Sequence, residues 1–131
     1  MPKRSNEFQR LVKYIYEQIT PAGGRVRESA MLPEPQFGDR EVDILVEQTV
    51  AGHEIRISVE CRDRGRKGAV EWIDSLIGKY FYLKVDKVVA VSTAMFTDAA
   101  KAKANLHGID LIVRIRLTPK NTRFGDGLSV P

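Results

Sequence analysis

The 131-residue chain carries 43% hydrophobic residues and a formal charge of +4, enough for one domain with one core and a mild bias toward polyanions. No apolar run reaches the roughly 18 residues of a membrane span, and the opening MPKRSNEF lacks the apolar stretch of a secretion signal, so a cytoplasmic protein with no membrane partner is expected. The single cysteine, Cys61, excludes an internal disulfide and a cysteine-based zinc cluster.

In chain order, Phe8, Leu11, Val12, Ile15 and Ile19 recur at helical spacing behind an Asn6/Gln9 capping pair, and Pro21 with Gly23-Gly24 ends this helix. RVRESAML reads as a strand, and PEPQFGD as a loop because its prolines cannot donate to a ladder. Two alternating strands follow, Glu41 to Gln48 and Glu54 to Arg62. After the polar DRGRKG, Ala69 to Leu83 sets Val70, Ile73, Leu76, Ile77, Tyr80 and Leu83 on one helical stripe. KVVAVST has the nearly continuous apolarity of a strand buried on both faces. Thr97 caps an Ala-rich helix that Gly108 stops, and IDLIVRIRL is the last strand. The tail from about 117 to 131 is polar. The expected fold is a single α/β domain in the order α-β-β-β-α-β-α-β, a central mixed sheet flanked by helices.

The two alternating strands carry the chemistry. A turn at Ala51-Gly52 pairs Val42 with Cys61, Ile44 with Val59, Val46 with Ile57, Glu41 with Arg62 and Glu47 with Arg56, each match apolar or opposite in charge. It also gives each strand one dry face and sets Asp43 across from Glu60. Two like charges about 5 Å apart repel by roughly 3 kcal/mol at an effective dielectric near 20, which a proton, a cation or a neighbouring arginine must offset. A divalent metal such as Mg²⁺ is one solution. A surface lattice in which Glu41, Arg62, Asp43 and Glu60 neutralise one another is the other, and a two-residue register slip would separate the acids.

EVDILV followed by ISVECRD resembles the D...(D/E)xK signature of the PD-(D/E)xK nucleases, the restriction-endonuclease-like superfamily. NEFQRLV resembles the opening helix of the Mrr-like branch, and VAVSTAMFTDAAKAKANLHGIDLI its strand, Phe-Thr turn, Ala-rich helix and final strand. The resemblance runs roughly from Asn6 to Ile112. It implies a restriction-endonuclease-like fold and Mg²⁺- or Mn²⁺-dependent hydrolysis of DNA, with Asp43 and Glu60 as metal ligands and the Cys61 carbonyl as a backbone ligand. Two positions depart from the pattern. Arg62 stands where the family has lysine, and Gln9 where an acid often follows the first-helix Phe. Arginine can stabilise an oxyanion but cannot act as a base. Lys79 is the candidate for the missing amine, against a plain solvated helix residue, and Glu7 for the missing acid.

Arg64, Arg66 and Lys67, just beyond the acids, are candidates for phosphate contact. His53 and His107 lack partners at metal spacing, Ser92 and Thr93 lack a nucleophile setting, and Trp72 reads as a core or interface aromatic. Cys61 reads as a core thiol, and Arg114, Arg116, Lys120 and Arg123 form a basic zone without a specific reading. The expected function is a metal-dependent DNA endonuclease. A homodimer would supply two sites for two strands, and a partner protein could supply specificity. The alternative is a nucleic-acid-binding or assembly module that kept the fold and lost the lysine.

Overall fold

The structure is a computed structural model that describes residues 7–36, 38–63 and 69–114. The elements run α1 (Glu7–Ile19), β1 (Arg25–Leu32), β2 (Arg40–Val50), β3 (His53–Arg62), α2 (Val70–Tyr80), β4 (Lys87–Ser92), α3 (Asp98–Leu106) and β5 (Ile109–Val113). This is the order the sequence predicts. Asn6 of the capping pair, Arg116, Lys120, Arg123 and the tail lie outside the described residues. No helix among those residues is long and apolar enough to cross a membrane.

The five strands form one mixed sheet in sequence order, β1-β2-β3-β4-β5, with β1, β2 and β3 antiparallel and β3, β4 and β5 parallel. The hairpin connection is short enough to fix the register. Ala51 (φ 53°) and Gly52 (φ 79°) both occupy the left-handed region, the pattern of a type I′ turn, whose twist matches that of the flanking strands. Val50 therefore pairs with His53, and the ladder continues through Glu47 with Arg56 and Val46 with Ile57 to Ile44 with Val59, as expected.

Helix α1 packs Phe8 and Val12 on one sheet face against Ile44, Val46, Val59, Val89 and Val91. On the other face α2 and α3 bring Trp72, Ile73, Leu76, Ala100 and Ala104 onto Ala90 and Ile109. Thr97 caps α3 by accepting the Ala100 N–H, 3.1 Å away, and Gly108 (φ 70°) ends it. Burial of side chains such as Ile44 and Ile73 contributes about 1.5–3 kcal/mol each.

Two expectations about the hairpin need correction. The strands do not have a single dry face: Leu45 and Glu47 are as buried as Ile44 and Val46, because Leu45 packs with Ala30, Leu32 and Leu83 on the α2 face. A helix on each side of the sheet leaves the middle of β2 no solvent face. Glu47 tolerates burial because Arg25, Arg27 and Arg56 all reach it, at 2.7, 3.2 and 3.2 Å. Second, the expected pairs Asp43–Glu60, Val42–Cys61 and Glu41–Arg62 are not rungs of the ladder, which stops at Ile44–Val59.

Candidate functional site

The end of that ladder is where the acids lie. Because β2 runs antiparallel to β3, a residue early in β2 comes beside one late in β3. At Asp43 the regular strand is interrupted on both sides. Its register partner on β1, Ser29, has φ 53°, a conformation a serine adopts only under strain, and the Ser29–Asp43 rung is missing between Glu28–Ile44 and Ala30–Val42. Face alternation breaks here too: Val42 packs with Leu45 and Leu83, whereas Ile44, two residues on, packs with Phe8 and Val12. The Asp43 carboxylate then takes over main-chain work, Oδ2 accepting the Cys61 N–H at 2.8 Å.

Glu60, 7% exposed, faces α2, and its Oε2 accepts from Lys79 Nζ at 2.8 Å and from the Tyr80 hydroxyl. Tyr80 in turn is hydrogen-bonded to the fully buried Ser58. Lys79 Nζ also donates to the Glu41 carbonyl at 2.7 Å. These bonds use one oxygen of each carboxylate and leave Asp43 Oδ1 and Glu60 Oε1 outside them.

The surroundings of Asp43 disfavour its charge. Burial, and then the Glu60 charge, push the Asp43 carboxyl up to about 6, while the Cys61 amide and Lys79 pull against the rise. Burial, then Glu60, raises the Tyr80 phenol far above its usual range, so it stays protonated as a donor. The Cys61 thiol is likewise pushed up, by burial and then by Asp43 and Glu60, and it packs against the Phe8 cluster as a core side chain. Its main-chain carbonyl sits near the strand end, in the β3–β4 ladder opposite Val91.

Arg62 lies against α2, its guanidinium 4.8 Å from the centroid of the Trp72 ring. Trp72 is stacked on Phe96 with centroids 6.1 Å apart. The structure thus brings Asp43, Glu60, Cys61 and Lys79 together and sets Arg62 at the next same-side position of β3. Arg64, Arg66 and Lys67 lie outside the described residues. Gln9, not Glu7, points inward: Glu7 is exposed, whereas Gln9 is buried and its Nε2 donates to Glu28 Oε2 at 3.0 Å and to the Asp43 carbonyl at 3.5 Å.

Sequence reasoning missed Tyr80, Ser58 and Glu28 as neighbours of the acids. The alternation of β3, which puts Ser58 on the side of Glu60, was the one available signal. Ser92 Oγ accepts the Ala94 N–H at 3.0 Å, and Trp72 is a core aromatic, the first of the two places its sequence allowed.

The residues fit a divalent cation by their donor chemistry: a buried Glu60 and a partly buried Asp43, each with an oxygen outside the hydrogen bonds formed among the described residues, in a site where one acid is hard to ionise beside the other. Among the described residues no three His, Cys, Asp or Glu side chains come together at ligand spacing, so waters, a carbonyl or phosphate oxygens would complete the shell.

Comparison with known proteins agrees with this fold. The Mrr catalytic-domain family model, described as Restriction endonuclease, matches residues 4–119. The protein of unknown function AF1548 superposes with a TM-score of 0.66 at 13% identity, over 82% of this chain and 58% of that one. The DNA modification-dependent restriction endonuclease AspBHI superposes with a TM-score of 0.56 at 17% identity, over 79% of this chain and 27% of that one. The chain thus spans less than two thirds of either structure. No curated protein matches it. A mixed five-stranded sheet between helices and a family match along most of its length have one reading: the chain belongs to the Mrr-like branch of the restriction-endonuclease-like PD-(D/E)xK superfamily.

Proposed function

We propose that this domain hydrolyses DNA phosphodiester bonds as a metal-dependent endonuclease, with Asp43 and Glu60 as the cation ligands and Lys79 in the role of the lysine that Arg62 replaces. The observation that carries the reading is the 2.8 Å contact of Lys79 Nζ with Glu60 Oε2. It supplies the amine that the strand motif lacks, from a helix instead of from the strand.

A divalent cation, Mg²⁺ or Mn²⁺, would acidify an attacking water and offset charge on the phosphorane. The chain's own residues do the rest. Two of the three Lys79 N–H groups are used, on Glu41 and Glu60, and the third can hold the attacking water or a phosphate oxygen. The Arg62 guanidinium, steadied over Trp72, is offered to a non-bridging phosphate oxygen. The Cys61 carbonyl is a further ligand in this proposal, and Arg64, Arg66 and Lys67 would track the backbone beyond the cut. DNA as the substrate class is supported by the family and by the structural neighbour AspBHI, a DNA modification-dependent restriction endonuclease. Cutting both strands needs two such sites, which a homodimer provides; a partner protein is the proposed source of specificity.

The test is cleavage of duplex, branched and single-stranded DNA with Mn²⁺ and Mg²⁺ by the parent and by Asp43→Asn. Metal-dependent products from the parent alone are expected. DNA binding without cleavage on any substrate would favour the binding-module reading instead.

A further inference from the structure

Adjacent residues on one helix seldom grip the same atom, yet Lys79 and Tyr80, in the last turn of α2, both donate to Glu60 Oε2. The Tyr80 hydroxyl also meets the hydroxyl of Ser58, which is 0% exposed and lies two residues before Glu60 on the same side of β3. A carboxylate has no hydrogen to give and each hydroxyl has one, so the chain has one direction: Ser58 donates to Tyr80, and Tyr80 to Glu60.

We infer that Tyr80, oriented by Ser58, is a positioning residue that fixes the Glu60 carboxylate through Oε2 and so leaves Oε1 set for the cation. The inference rests on the proposed metal site. Two donors on Oε2 hold the carboxylate against rotation about its last bond, and a ligand held in this way binds a cation without first being ordered. Lys79 alone would not suffice: its flexible stem also serves Glu41, whereas the Tyr80 ring is anchored between the Trp72 cluster and the Leu83 cluster. That packing survives in Tyr80→Phe, which removes only the hydroxyl.

Two measurements test the inference on the full chain. In metal-free protein, the ¹³C signal of the Glu60 side-chain carboxyl should move in Tyr80→Phe and move less in Ser58→Ala. It should not move further when Ser58→Ala is added to Tyr80→Phe, because Ser58 acts through Tyr80. In calorimetric titration with Mn²⁺, Tyr80→Phe should bind about ten-fold more weakly than the parent, with the loss in cleavage falling on kcat and not on KM for DNA. Asp43→Asn is the control for the metal site itself. A Glu60 signal unmoved by Tyr80→Phe, or separate additive shifts from the two variants, overturns the relay. Equal Mn²⁺ affinity in parent and Tyr80→Phe overturns its positioning role. A parent that binds no Mn²⁺ overturns the metal-site reading, and the Glu60 signal then judges the relay alone.

Discussion

Lys79 Nζ sits 2.8 Å from Glu60 Oε2, linking the last turn of α2 to the late half of β3. The pair is largely shielded from solvent, with Lys79 17% and Glu60 9% exposed at the side chain, so its charge is not a freely hydrated one. Lys79→Ala should therefore lower metal-dependent cleavage by about 10²-fold or more, through lost charge stabilisation at the attacking oxygen. Single-turnover rates on a nicking substrate measure it. A drop of less than about three-fold would return Lys79 to the status of an ordinary helix residue.

Asp43 gives the metal-free protein a pH signature. Its folded pKa, near 6, lies above the ordinary 3.8, so the folded state binds the proton more tightly than the unfolded chain. The stability this confers is fully present below about pH 3.8 and is lost as pH rises through 6. Asp43→Asn can still accept the Cys61 N–H but cannot ionise. In EDTA it should be more stable than the parent at pH 7, by at most about 3 kcal/mol, and the gap should close below pH 4. Urea unfolding at the two pH values reads this. Millimolar Mg²⁺ should stabilise the parent and leave the variant unchanged.

Arg62 should contribute through its charge and not as a base. Arg62→Ala should reduce kcat/KM by about ten-fold while Arg62→Lys retains most of it, since a lysine keeps the cation at the same strand position. Equal rates in all three proteins would remove Arg62 from the site.

The basic run Arg64, Arg66 and Lys67 is expected to neutralise DNA phosphates. Replacing all three with alanine should flatten the dependence of log affinity on log salt, by about 0.9 for each duplex phosphate that keeps its counterion as a result. An unchanged slope means the run does not touch the backbone.

What the sequence could reveal follows from which interactions are local. The β2–β3 register was readable from Val46–Ile57 and Glu47–Arg56 because a two-residue turn fixes pairing from the hairpin tip outward. It ceased to be readable at Asp43, where the β2–β3 ladder has ended and the register partner on a third strand, Ser29, leaves the extended conformation. The burial of Leu45 was hidden for the same kind of reason: strand alternation cannot tell that a second helix covers the other face. Lys79 could be named as a candidate from its helix, but its reach to Glu60, and the role of Tyr80 beside it, depend on how α2 crosses the sheet. A Tyr on an apolar stripe looks like core, and this one is core at its ring and polar at its tip.

If Glu60 and Asp43 hold a cation at which DNA is cut, Glu60→Gln must lose cleavage and keep binding. Nicking of supercoiled DNA with Mn²⁺ should be measured alongside DNA affinity for the parent and this variant. Metal-dependent nicking by the parent is expected, with its loss by at least about 10²-fold in Glu60→Gln and DNA binding within a few-fold of the parent. Nicking at the parental rate by Glu60→Gln would contradict it.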